Sequence, residues 1–311
     1  MNITLLDAQT LGEDLDLSSL ENLGNLTTYA TTSLDETLER IKEADIVVTN
    51  KVLITADIMA QAPKLKLICI AATGMNNVDL DEAQKRGISV KNVAGYSTQS
   101  VVQHTFAMAL YLLGKMAYYD RVVKSAEWSN SGIFTDVSRP FGEIANKKWG
   151  VIGLGTIGRE VARVATAFGA EVVYYSTSGA NLDQEYAHYS LEKLISECDI
   201  ISIHSPLNEK TLNLLNATNL SLLKENAIIL NLGRGGIINE DALAKELDSK
   251  NIYAGTDVIS KEPIEVENPL MLVKNQERLL ITPHIAWSSI EARIKLLEGI
   301  VENIRLFQDK S

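Results

Sequence analysis

Few folds accommodate the run Gly153-Leu154-Gly155-Thr156-Ile157-Gly158, which reads G-x-G-x-x-G. The apolar stretch Trp149-Gly150-Val151-Ile152 precedes it and suits a buried parallel strand. Arg159 to Ala165 follows, with apolar residues at helical spacing. Strand, glycine turn and helix together point to a dinucleotide-binding unit. Gly153 permits the tight turn, Gly155 lets backbone approach a pyrophosphate, and Gly158 lets helix and strand pack closely. The helix N-terminus, with Thr156 and Ile157 in its first turn, offers free N–H groups and partial positive charge to phosphates. The bland alternative is a plain glycine turn in a βα unit.

The rest of the chain keeps the same rhythm. Strands are expected at 3–6, 46–49, 65–71 and 88–93, and helices at 34–44, 54–62 and 79–86. Ser33 is a candidate N-cap and Gly87 a candidate stop. This pattern predicts a parallel sheet before residue 97. A long helix, about 99–113, is apolar around most of its circumference and is expected to be buried. After a wetter stretch, six more strands are expected at 149–152, 171–175, 199–203, 227–231, 252–257 and 279–282. Helices fall between them, at 156–168, 190–197, 217–223 and 239–248. A last helix, about 289–307, shows an apolar stripe of Ile290, Ile294, Leu297, Val301, Ile304 and Phe307, with a capping-box pattern at Ser288 and Glu291. It is expected to cross back onto the first domain. The fold class is α/β, with two parallel-sheet domains. The first covers 1–96 and is completed by 285–311. The second covers 97–284.

With 311 residues, 46% hydrophobic and 22% charged, the composition is that of a globular protein. A net charge of −11 argues against nucleic-acid or anionic-membrane partners. Residues 1–7 carry no signal-peptide pattern, and no apolar run is long enough for a membrane span. Cys69 and Cys198 sit far apart in apolar stretches, which suits buried thiols in a reducing cytoplasm. No metal-ligand spacing is present.

In an open parallel sheet, ligands bind beyond the carboxyl ends of the strands. Leu232-Gly233-Arg234-Gly235-Gly236 follows one strand. Arg234 is either a surface arginine in a glycine turn or a guanidinium free to grip a carboxylate with two parallel bonds. Asp257 to Pro263 follows the next strand, and Pro283-His284 the one after. A carboxylate bonded to His284 would hold its tautomer and aim the other nitrogen outward, an acid–base device. The alternative is a loop histidine satisfied by backbone. His204 ends a strand on the dinucleotide side, with adenine and ribose both open as its partner. His104 reads as a core or interface histidine, and His188 as solvated.

These residues resemble the D-2-hydroxyacid dehydrogenases, and within them the hydroxypyruvate reductase (glycerate dehydrogenase) group. The resemblance spans nearly the whole chain. It rests on Ala71 to Asp79, Gly95 to Thr98 running into Val101-Val102-Gln103-His104-Thr105, and the glycine motif. It continues through His204-Ser205-Pro206-Leu207, Arg234-Gly235-Gly236, Asp257 to Pro263, and Thr282 to Trp287. It implies two Rossmann-like, flavodoxin-like domains with the active site in a cleft. It implies that Arg234 holds the substrate carboxylate, that His284 is the acid–base and that Glu262 supports it. Thr73 and Gly74 backbone would also hold the carboxylate, with Lys51 nearby. The cofactor would be NAD(H) or NADP(H), without a metal. Its contacts would be Gly153, Gly155, Thr156, Ile157, Gly158, Ser176, His204, Pro206, Thr211, Leu232, Gly233 and Asp257. The substrate would be a small 2-keto or 2-hydroxy acid. The arm at about 98–145 would build a homodimer.

One departure stands out. Where an acidic residue usually binds the adenine ribose, this chain has Ser176-Thr177-Ser178, with no Arg or Lys in that loop. Relaxed cofactor specificity, with some NADPH use, is the expectation. The rivals are a non-catalytic nucleotide-sensing protein, another member of the same family, and a short-chain dehydrogenase. The last is disfavoured because Tyr111 and Lys115 precede the glycine motif.

Overall fold

The computed structural model describes residues 1–310. The chain divides into two compact units, Met1–Ser97 with the segment from Ser288, and Thr98–Trp287.

The first unit holds five strands: β1 (Asn2–Leu5), β2 (Asn25–Thr28), β3 (Ile46–Thr49), β4 (Leu67–Ile70) and β5 (Ser89–Lys91). All pair in parallel, in the order β2-β1-β3-β4-β5. β3 and β4 are buried at every position, as expected for strands covered on both faces. β2 was not expected from the sequence. It is a polar edge strand, Asn-Leu-Thr-Thr, with no residue fully buried, so it carries no apolar signal. Ser33 and Glu36 form a capping box on helix Leu34–Ile41. Helix Ile290–Gln308 belongs to this unit. Arg293 pairs with both carboxylate oxygens of Asp14 at 2.6 and 2.7 Å, and Asn303 donates to the Asn92 carbonyl at 3.0 Å. Two details differ from the expectation. The N-cap is Ser289, which accepts from the Ala292 N–H. The buried arc runs through Leu296, Leu297, Ile300, Val301 and Ile304, while Ile290 and Ile294 lie exposed on its flank.

The second unit holds seven parallel strands rather than six: β6 (Lys148–Ile152), β7 (Glu171–Tyr175), β8 (Ala187–His188), β9 (Ile200–Ile203), β10 (Ile228–Asn231), β11 (Tyr253–Thr256) and β12 (Leu279–Ile281). Their order is β12-β11-β10-β9-β6-β7-β8. The extra strand is two exposed residues paired beside β7, too short for a periodicity. Helices cover both faces. Thr98–Leu113 and Thr156–Ala167 pack on one, around the wholly buried Trp149. Leu191–Glu197, Ala217–Leu220 and Glu240–Ser249 pack on the other. The chain leaves β6 toward β7 and β8, then returns to β9 on the other side of β6. This reversal creates a crevice at the carboxyl ends of β6 and β9, the expected ligand position in such sheets.

Candidate active site

The glycine turn opens into that crevice. Gly153 has φ +91°, a conformation that suits glycine, and a β-carbon there would lie 2.2 Å from Ser205 Oγ. A β-carbon on Gly158 would lie 2.1 Å from the Gly153 carbonyl oxygen, so helix and strand meet without room for a side chain. A β-carbon on Gly155 would meet nothing within 4 Å. Gly155 is also the N-cap of helix Thr156–Ala167 and brings no capping side chain, which leaves its first-turn N–H groups for a ligand. Open backbone at Gly155 and a free helix start fit a pyrophosphate.

A cavity of about 520 Å³ adjoins this turn. Gly153 and Gly155 form one wall, Ser176 to Ser178 another, and His204 to Pro206 a third. Both His204 ring nitrogens are buried with no hydrogen-bond partner among the described residues, and burial pushes its pKa down to about 3. A neutral imidazole facing a cavity fits an organic ligand with its own donor or acceptor. Asn208, Glu209 and Lys210 also line the cavity, with Leu154 and Asn181. Thr211, by contrast, is fully buried, and its hydroxyl donates to the Pro206 carbonyl at 2.7 Å and accepts from Asn208 N–H at 2.8 Å. It shapes the loop rather than the wall.

The neighbouring strands β10, β11 and β12 pair in parallel register and end at one edge. Arg234, Glu262 and His284 follow those three ends in turn. Asn231 closes β10 and braces the Arg234 loop: its Nδ2 donates to the Arg234 carbonyl at 3.0 Å, and its Oδ1 accepts from Gly233 N–H at 3.1 Å. Arg234 Nη1 donates to the Gly233 carbonyl at 2.8 Å. His284 stands at φ +54° and pairs Nδ1 with Glu262 Oε2 at 2.7 Å. Glu262 Oε1 accepts from Ile259 N–H at 3.2 Å, which fixes the carboxylate in its own loop. Asp257 is 1% exposed. Its oxygens accept from the Thr282 hydroxyl at 2.6 Å and from the Ile285 and Ala286 N–H groups at 2.9 and 2.8 Å. Asp257 therefore ties down both sides of His284, and His104 joins this group through Thr282 Oγ1 at 3.0 Å. Leu232 is buried behind the Arg234 loop, and a β-carbon on Gly233 would lie 2.8 Å from the Ser205 carbonyl oxygen.

Within the first unit, Lys51 follows β3 and Thr73-Gly74 follow the adjacent β4. The Asp7 carboxylate, 4% exposed, accepts the backbone N–H groups of Asn50 and Lys51 at 2.8–3.0 Å. Asn92 Nδ2 donates to the Thr73 carbonyl at 2.5 Å. Sequence reasoning missed Asp7, Asn231, Ser205 and Lys210. Asp7 and Ser205 act on backbone of distant segments, and Asn231 on the loop that directly follows it; no motif announces any of the three. Among the described residues, no group of three His, Cys, Asp or Glu is placed to hold a metal ion. Among the described residues, no helix is long and apolar enough to cross a membrane.

Residues 106–286 match the family model for the NAD binding domain of D-isomer specific 2-hydroxyacid dehydrogenases. The chain is 36% identical over 314 residues to a hydroxypyruvate reductase of Blautia hydrogenotrophica, covering 99% of this chain and 97% of that protein. A D-lactate dehydrogenase from Aquifex aeolicus, solved with NAD and lactic acid, superposes with a TM-score of 0.84 at 26% identity, covering 100% and 96% of the two chains. An acyclic imino acid reductase solved with NADPH and D-Arg superposes with a TM-score of 0.87 at 28% identity, covering 100% and 98%.

Proposed function

Because this chain belongs to the D-isomer specific 2-hydroxyacid dehydrogenase family, whose members are oxidoreductases with an NAD-binding domain, we propose that it reduces a small 2-keto acid, hydroxypyruvate or glyoxylate, with NAD(H) or NADP(H). The observation that carries this reading is the 2.7 Å pair of His284 and Glu262, one strand end away from the Arg234 loop. The bound nicotinamide supplies the hydride chemistry. The chain's residues do the rest. Arg234, braced by Asn231, grips the substrate carboxylate and fixes which carbonyl face is presented. Glu262 holds His284 at Nδ1, so Nε2 gives its proton to the keto oxygen in reduction and takes it from the alcohol in oxidation. Asp257 keeps the His284 loop in place. Gly153, Gly155, Gly158 and the first turn with Thr156 and Ile157 hold the pyrophosphate, and His204 with Ser176 to Ser178 faces the adenosine side.

By the same reading, Lys51, Thr73 and Gly74 contribute to carboxylate binding, and the first unit is the substrate domain. The arm after Thr98 joins two copies into a homodimer. Support comes from Ile133, Phe134, Val137 and Phe141, apolar side chains left exposed on the arm. Cys69 and Cys198 are buried and their thiols pushed up to about 12, which suits reduced cysteines in the cytoplasm.

Initial rates of reduced-dinucleotide oxidation with hydroxypyruvate, glyoxylate, pyruvate and longer 2-keto acids test the proposal. Turnover is expected with the shorter acids. Arg234→Lys is expected to raise the KM for the keto acid roughly 10- to 100-fold, the weight of a charge-assisted bond, with dinucleotide affinity unchanged. Tight dinucleotide binding with no turnover on any acid would replace the enzyme by a nucleotide-sensing protein.

A further inference from the structure

The dinucleotide cavity carries a feature that oxidation and reduction do not require. The wall beyond β7 is Ser176-Thr177-Ser178, three hydroxyls where a dinucleotide fold places a carboxylate against the ribose 2′-hydroxyl. A carboxylate there repels a 2′-phosphate, and hydroxyls do not. The loop itself holds no cation, and the fold brings one from elsewhere: Lys210, in the segment after β9, lines the same cavity. Its backbone is fixed by Asn208 Oδ1, which accepts from Lys210 N–H at 2.9 Å, inside the turn closed by Thr211. The Lys210 ammonium has no hydrogen-bond or ion-pair partner among the described residues. Thr177 Oγ1 is held at 3.4 Å from Ser205 Oγ, so the two segments are joined at their base. Glu209 is the other charged side chain on this lining, and it opposes an anion.

We infer that this chain reads the 2′-phosphate of NADP(H), with Ser176, Thr177 and Ser178 donating to the phosphate oxygens and Lys210 supplying the opposite charge. The inference rests on the dinucleotide site proposed above and names which dinucleotide it favours. A phosphate held by hydroxyls and one ammonium gains charge-assisted bonds that a ribose hydroxyl cannot match. Glu209 sets how strong the preference becomes.

The test is calorimetric titration of the full chain with adenosine 2′,5′-bisphosphate and with ADP, which needs no turnover, alongside NADPH and NADH. The bisphosphate is expected to bind at least about tenfold tighter than ADP. Lys210→Gln is expected to erase that preference while leaving ADP and NADH affinity unchanged, and Glu209→Gln to enlarge it. Circular dichroism checks that both variants fold, as surface substitutions of exposed residues allow. If ADP and NADH bind and the bisphosphate binds no tighter, or if Lys210→Gln weakens both nucleotides equally, the 2′-phosphate site is wrong and the enzyme reading stands. If no nucleotide binds, the inference and the dinucleotide site fall together.

Discussion

A β-carbon on Gly235 would sit 2.0 Å from the carbonyl oxygen of Ile259. The loop that carries Arg234 therefore rests directly on the loop that carries Glu262. The proposed substrate grip and acid–base support are one mechanical unit, and the contact is backbone against backbone, with no flexible side chain to yield. Gly235→Ala is expected to destabilise the fold by about 1–3 kcal/mol through overpacking. It should also lower kcat/KM for the keto acid, because both loops move. Thermal unfolding and initial rates on the same variant check this. Unchanged stability and rates would show that the loops move independently.

Gly155 makes the opposite case. Nothing lies within 4 Å of the β-carbon it lacks, and its φ of −81° is ordinary for any residue. Gly155→Ala should leave stability within roughly 0.5 kcal/mol of the parent. It should raise the dissociation constant for NADH and NADPH at least about tenfold, because the methyl group occupies the pyrophosphate's approach. Fluorescence titration of either dinucleotide reads the effect. Full affinity would remove the pyrophosphate from this turn.

His204 links the cavity to acid stability. Burial lowers its folded pKa to about 3, while in the unfolded chain it takes up a proton near 6.5. As pH falls below 6.5, the unfolded chain binds a proton that the folded chain refuses, so stability is lost on acidification and is unaffected above neutrality. Between pH 7 and pH 5 the parent should lose about 2 kcal/mol that His204→Asn does not lose. Urea unfolding at the two pH values measures the difference. Parallel losses in parent and variant would show that His204 is hydrated or partnered.

Much of this site is legible in the chain because it is local. The glycine motif, the strand before it and the helix after it lie within one short segment. Arg234, Glu262 and His284 are readable for a different reason: each follows an apolar run, and a parallel sheet delivers successive strand ends to one edge. Other features have no local signature. β2 is a polar edge strand, and β8 is two residues long, so neither shows an apolar period. Asp257 and Asp7 hold backbone of segments far away in the chain. Lys210 is the clearest instance. The loop of Ser176 to Ser178 contains no cation, as its sequence says, and the cation that lines the same cavity comes from the segment after β9.

The most direct test of the central claim measures His284→Gln beside the parent, by dinucleotide titration and by initial rates with hydroxypyruvate. The account predicts that NADH or NADPH binds both proteins with equal affinity, while turnover falls by about 10²- to 10⁴-fold in the variant, the weight of a positioned general acid. Full turnover in the variant would contradict it and would leave the 2.7 Å pair of His284 and Glu262 with no part in the chemistry.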